Sequence, residues 1–279
     1  MQLTNRLPGV LSPPFDDFAI DSREGTRMNK RVLPTITLGF VALAAAPAFA
    51  AEINIISAGA VEPGVVAAAD VFRKETGTEV KIKFATAPAI RQRVGGGEAA
   101  DVVIAPPAVI EELAKAGKLD ASGGAPVGRV GVGVLVRSDA VKPDVSSADA
   151  LRRALLDAES VVYNKASTGL YLEKLFERLG VETQVRAKET RYADGAAVME
   201  HVIHGKGKEI GFGAITEIRL YGDKGAQFVG PLPGDAQNYT SYAAAPSAVP
   251  TNRNGAAAFM KFLSTPAATA AFLAKGIEQ

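Results

Sequence analysis

Glu52-Ile53-Asn54-Ile55-Ile56-Ser57-Ala58-Gly59-Ala60-Val61-Glu62-Pro63-Gly64 reads as a buried strand, a turn of small residues and a helix start. Ile53, Ile55 and Ile56 are apolar and β-branched, which suits a parallel strand covered on both faces. Ser57 to Ala60 carry almost no side-chain bulk, so a ligand has room to approach the backbone. Pro63 fits the first helical turn, where its missing N–H costs nothing. The free N–H groups of such a helix start attract anions. A plain strand-to-helix connection is the alternative, and this stretch alone leaves both open.

The same design recurs twice. Val80 to Ala85 alternates like a half-exposed strand and runs into Thr86-Ala87-Pro88-Ala89, which opens a short helix ended by Gly95-Gly96-Gly97. Ser160 to Tyr163 is a buried strand followed by Asn164-Lys165-Ala166-Ser167-Thr168-Gly169 and an amphipathic helix from Leu170 to Leu179. Between them, Asp101 to Ala105 and the helix from Pro106-Pro107 to about Ala116 complete a strand–helix alternation typical of a parallel α/β sheet. Val127 to Arg137 is a long strand expected to cross between domains. Further elements are helices at 148–156 and 195–203, a strand at 209–214, a return segment at 240–245 and two terminal helices, 255–263 and 266–275.

Composition limits the function. The 279 residues include 31 Lys+Arg and 30 Asp+Glu, so no global field favours nucleic acid. The absence of cysteine excludes disulfides and thiolate chemistry, and two histidines exclude a His-rich metal site. No metal and no cofactor is expected. His201 and His204 lack a third ligand at metal-binding spacing, and Gly95-Gly96-Gly97 follows a helix, so it is no dinucleotide fingerprint.

Met28-Asn29-Lys30-Arg31, the apolar run from Val32 to Ala46 and Ala48-Phe49-Ala50 have the anatomy of a signal peptide cleaved after Ala50. The run is shorter than the roughly 20 residues of a membrane-spanning helix, so no stable membrane insertion is expected, an uncleaved anchor being the alternative. A signal peptide begins near the start of a chain, so residues 1–27 read as an extension ahead of the true start at Met28. The first 50 residues hold five basic and four acidic side chains, leaving 26 of each sign in a periplasmic, neutral mature chain. Any bound anion must then be held by local donors.

These stretches, with Phe84-Ala85-Thr86-Ala87, Ala100 to Ala105, Thr168-Gly169-Leu170-Tyr171 and Ile210-Gly211-Phe212, resemble the periplasmic molybdate-binding proteins of ABC importers. The resemblance spans Glu52 to Gln279. It implies a type II periplasmic-binding-protein fold, with two mixed sheets flanked by helices and joined by hinge strands. Lobe one is expected from 52–133 plus 243–279, lobe two from 134–242. It further implies a monomer that captures a small anion and delivers it to a permease.

On this reading the ligand meets Ser57, Ala58, Gly59, Ala60, Thr86, Ala87, Ser167, Thr168, Gly169, Gly195 and Ala214, with Arg91 as a charged clamp. The molybdate binders place serines where this chain has Ala60 and Ala87, and a tyrosine where it has Ala214. Each lost bond to a charged ligand weakens binding by roughly 1.5–3 kcal/mol. The expected ligand is therefore a carboxylate rather than a tetrahedral oxyanion. Ser160 to Tyr171 and Thr216-Glu217-Ile218 are similar to periplasmic aconitate isomerases, which share the fold. That similarity implies an alternative activity on a small polycarboxylate, with Glu62, Glu217 or His201 as general base.

Overall fold

The computed structural model describes residues 52–279. The proposed extension, signal peptide and cleavage point lie outside them. Nineteen helices and strands alternate through the described chain, and they build two lobes.

The first sheet is organised by β1 (Glu52–Ala58), which pairs in parallel with β2 (Glu79–Ala85) and β3 (Val102–Ala105). β9 (Tyr239–Pro246) runs antiparallel beside β3. β1 is buried over its last four residues because α1 (Glu62–Thr76) covers one face and α2 (Ala87–Gly95) and α3 (Pro107–Lys115) lie against the sheet. The terminal helices α9 (Arg253–Leu263) and α10 (Pro266–Ala274) pack on α1. Phe72 meets Phe259 and Phe262 there, with ring centroids 5.1 and 5.4 Å apart. Such aromatic pairs add about 0.5–1.5 kcal/mol each beyond their buried area.

Asp101 ties this lobe together. Its carboxylate accepts from the Asn54 and Asn252 amides and the Thr251 hydroxyl, each at 2.8 Å. Burial would raise its pKa, yet the donors from Asn252, Asn54 and Thr251 outweigh burial and lower it.

β4 (Ala125–Arg137) carries the chain across. It pairs with β9 from Ala125 to Gly131, then with β7 (Glu209–Ala214) from Val132 to Leu135. The second sheet adds β5 (Ser160–Asn164), β6 (Glu189–Tyr192) and β8 (Ala226–Pro231). One face is covered by α4 (Ala148–Asp157), α5 (Ser167–Arg178) and α6 (Glu182–Arg186), with Tyr163, Phe176 and Phe212 stacked in its core. The other carries α7 (Gly195–His204), whose Val198 and Met199 pack in one cluster with Leu135 and Val162 of the sheet.

α8 (Ile215–Leu220) is a six-residue helix touching both lobes. It packs on β4 and β8 and on the 3-10 turn Gly59–Val61 that follows β1. Buried Thr216 donates its hydroxyl hydrogen bond to the Ala60 carbonyl. Four elements escape sequence reading: α6, β6, α8 and β8. All have six residues or fewer, too few to display a period. Two helices also start earlier than their apolar residues suggest, α1 at Glu62 and α5 at Ser167. Their first turns face the cleft and need no apolar side chains.

Candidate functional site

A cavity of about 420 Å³ opens where the strand ends of the two sheets meet. Ala58, Gly59 and Ala60 line it from the β1 turn, and Thr86, Ala87 and Ala89 from the start of α2. Ser167 and Thr168 enter from α5, Gly195 and Ala196 from α7. Eight of the residues singled out in the sequence are thus brought together.

Four are not. Ser57 is fully buried within β1, its hydroxyl turned onto the Ala58 carbonyl at 3.3 Å. Strand alternation sends its side chain into the sheet packing, not to the ligand side. Gly169 lies under the α5 turn, and its N–H points to Asn164 Oδ1 at 3.3 Å. Ala214 is buried at the end of β7, where its amide serves Glu217. Arg91 is on the outer face of α2, half exposed, with Nε 2.6 Å from Glu112 Oε2. The expected clamp is an ordinary surface ion pair, because Arg91 falls on the helix face turned toward α3. Arg93 makes a two-pronged bond to Glu98 at 2.6 and 2.7 Å. That contact and Lys83 hold the Glu98 carboxyl down at about 2. His201, one of the general-base candidates, bonds the Tyr192 hydroxyl at 2.8 Å and does not border the cavity. Arg91→Ala should therefore leave ligand affinity unchanged in calorimetry and lower stability by no more than about 1 kcal/mol, the range of exposed ion pairs.

The α5 turn is shaped by a residue that sequence reading passed over. Asn164 Oδ1 accepts from the Ala166 amide at 2.9 Å and from the Gly169 amide. This Asx-type bracket caps α5 from ahead of the helix, where the N-cap residue Ala166 has no side-chain hydrogen bond of its own. The Ser167 and Thr168 N–H groups have no intrahelical acceptor, and both residues line the cavity. α2, by contrast, has no side-chain cap, although Thr86 occupies its N-cap position. Asp194 caps α7, accepting from the Ala197 amide at 2.9 Å.

The electrostatics are unexpected. Three carboxylates line the cavity, Glu62, Asp194 and Glu217, and among the described residues no lysine, arginine or histidine does. Glu62 is raised by burial and eased by Lys224. Glu217 reaches into the gap between the two glycine turns. A methyl group on Gly59 would lie 2.9 Å from its Oε1, and one on Gly195 2.5 Å from its Oε2. Burial first, then the charges of Glu62 and Asp194, push the Glu217 carboxyl up to about 7 against the pull of the Ala214 amide. Tyr242, on the floor, is raised by burial and by Glu217. Sequence reading named Glu62 and Glu217 only as candidate bases. Asp194 and Tyr242 had no signal beyond their residue type.

Residues 53–278 match the family described as bacterial extracellular solute-binding protein. The chain belongs to that family. A small-molecule ligand and a transporter permease are what membership implies. The chain is also 30% identical to an aconitate isomerase of Pseudomonas sp. over 258 residues, 88% of this chain and 96% of that one. Among solved structures, the periplasmic molybdate-binding protein of Azotobacter vinelandii aligns with a TM-score of 0.68 at 17% identity, over 81% of this chain and 99% of that one. The sulfate-binding protein SubI of Mycobacterium tuberculosis aligns at 0.65 and 20% identity, over 81% of this chain and 86% of that one. At such identities the likeness is one of fold, and it identifies the two-lobed periplasmic-binding-protein architecture.

Proposed function

We propose that this protein captures a small carboxylate anion between lobe one (52–133 plus 243–279) and lobe two (134–242), as a monomer that presents it to an ABC permease. The observation that carries this reading is the pair of helix N-termini, α2 and α5, that border one cavity from opposite lobes, with Ala87 from the first and Ser167 and Thr168 from the second on its wall. An elongated di- or tricarboxylate has negative groups at both ends and answers two separated donor sets. A single tetrahedral oxyanion would need serine hydroxyls where this chain has Ala60 and Ala87. In a thermal-shift and calorimetric series, di- and tricarboxylates should raise the melting temperature, because a ligand of the native state stabilises it by mass action. Molybdate and sulfate should not. Submicromolar molybdate affinity would overturn the choice of ligand.

One substitution isolates the α5 donor. Ser167 is the first residue of α5, where proline is tolerated, and Ala166 already has the extended backbone that a following proline demands (φ −92°, ψ −160°). Ser167→Pro removes one ligand-facing N–H while keeping the helix. Carboxylate affinity should fall about 10- to 100-fold, the scale of a charge-assisted bond of roughly 1.5–3 kcal/mol. Urea unfolding should show stability within about 1 kcal/mol of the parent.

The Glu217 carboxyl and the likeness to an aconitate isomerase favour a second reading, proton transfer on a bound polycarboxylate. A base poised near neutrality is what such a step requires. Following cis- and trans-aconitate by proton NMR separates the two: turnover makes the cleft an active site, and binding without turnover leaves a capture protein.

A further inference from the structure

Glu217 occupies a position that a plain anion cup would not contain. It is the residue that spans both lobes' glycine turns, with Oε1 against Gly59 and Oε2 against Gly195. The charged and titratable groups facing it are all acidic or phenolic. Glu62 comes from α1, Asp194 from the start of α7, Tyr242 from β9 and Tyr221 from the end of α8 itself. Lys224 acts on Glu62. Arg219, also on α8, turns away toward Gly276 and lies over the Phe228 ring. The charged residues of the neighbouring β-strands point elsewhere: Glu209 to the amides of Lys206 and Gly207, Arg129 to Glu278, Arg137 to Asp139. Among the described residues no cation lines the cavity to offset a ligand carboxylate arriving beside three protein carboxylates.

We propose that Glu217 is the specificity-determining, proton-exchanging residue of the cleft: it takes up one proton as a carboxylate ligand enters and then donates its O–H to that ligand. The inference rests on the carboxylate-capture reading. Two carboxyl groups brought together in a water-poor cavity cannot both stay ionised at little cost, and a shared proton turns repulsion into a hydrogen bond. Asp194 is unsuited to the role because its Oδ1 is already engaged by the Ala197 amide at the start of α7. Glu62 is eased toward its charged form by Lys224. Glu217 has only the Ala214 amide working in that direction, and it is the group already pushed up to about 7.

The sign follows from linkage. A ligand that raises the Glu217 pKa binds best while Glu217 is protonated, and affinity falls as pH rises through the ligand-free value. With that value near 7, the protonated fraction drops from about one half at pH 7 to about one hundredth at pH 9. Affinity for a ligand already fully ionised should fall by roughly 50-fold over that interval.

The test is calorimetry of the full mature chain with tricarballylate, which has no double bond to rearrange, and with trans-aconitate. Titrations at pH 8 in buffers of differing ionisation enthalpy report proton exchange. The parent should take up close to one proton per ligand. Glu217→Gln keeps a donor but cannot titrate, so it should bind with no uptake and with affinity flat from pH 7 to 9. Glu112→Gln, whose carboxylate pairs with Arg91 on the outer face of α2, should keep the uptake. Binding by the parent without proton uptake, or uptake that survives in Glu217→Gln, overturns this inference and leaves carboxylate capture standing. Failure of either acid to bind at any pH overturns the capture reading and the inference with it. Should Glu217→Gln fold poorly, a carbon-13 titration of the parent's Glu217 carboxyl with and without tricarballylate decides the matter. An upward shift on binding supports the proposal, and an unmoved titration curve overturns it.

Discussion

Gly195→Leu should weaken capture of trans-aconitate or citrate by about 1,000-fold or more, on the order of 4 kcal/mol, in a chain that still folds. Gly195 is the first residue of α7 and a wall of the cavity. A methyl group there already meets Glu217 Oε2 at 2.5 Å and its Cδ at 2.9 Å. The Glu217 carboxyl must then leave its place between the two glycine turns. The rest of a leucine side chain must then enter a space of about 420 Å³ and prop the lobes apart. The neighbour being displaced is the end of a side chain, and leucine is a better helix former than glycine by a few tenths to about 1 kcal/mol. The melting temperature should accordingly change little. Calorimetry beside a melting curve checks both halves, and parental affinity in this variant would falsify the assignment of the cavity as the capture site.

Gly169→Ala should do the reverse, lowering stability by about 3 kcal/mol or more, as overpacking against backbone does in the severe cases. A methyl group at 169 would lie 1.6 Å from the Asn164 carbonyl oxygen and 2.8 Å from its carbon. The obstacle is backbone in the middle of the β5–α5 connection, so no rotamer change relieves it. α5 must lift off the strand, which also breaks the Asn164 bracket on the Ala166 and Gly169 amides. Urea unfolding measures the loss, with Ser167→Ala, whose hydroxyl caps nothing, as the near-neutral comparison. A Gly169→Ala protein with parental stability would mean that β5 and α5 are not joined as described.

The two variants separate what glycine does in these turns. At 195 it leaves room for a ligand and for Glu217. At 169 it leaves room for the chain itself. Their sequence contexts are alike, each a glycine at a helix start after small or hydroxylated residues, so nothing local distinguishes the roles. The difference comes from what lies across the turn: an α8 side chain in one case, the preceding strand's own carbonyl in the other.

Much of the fold was legible because its signals are local. The isoleucines of β1, the alternation of β2 and the proline-marked starts of α1, α2 and α3 each act within a few residues. The small-residue turns before α1, α2, α5 and α7 could be found by the same means, and with them eight of the cavity's wall residues. Arg91 misled because a guanidinium near a candidate anion site invites pairing with the ligand. Its real partner, Glu112, is 21 positions away on α3, and only helix packing brings them together.

What the sequence determined by itself is the alternation of strands and small-residue turns, the near-neutral charge of residues 51–279 and the lack of thiol chemistry. Each depends on residue type or on neighbours within one turn of chain. The tertiary structure alone decided the sign of the cleft. Glu62, Asp194 and Glu217 are separated by 23 to 155 positions, and each alone reads as an ordinary acidic residue near a helix start. Folding puts all three around one cavity with no cation from the described residues on its wall. A carboxyl's charge state depends on the water it loses and the charges it gains, and both are properties of the enclosed space, not of the residue.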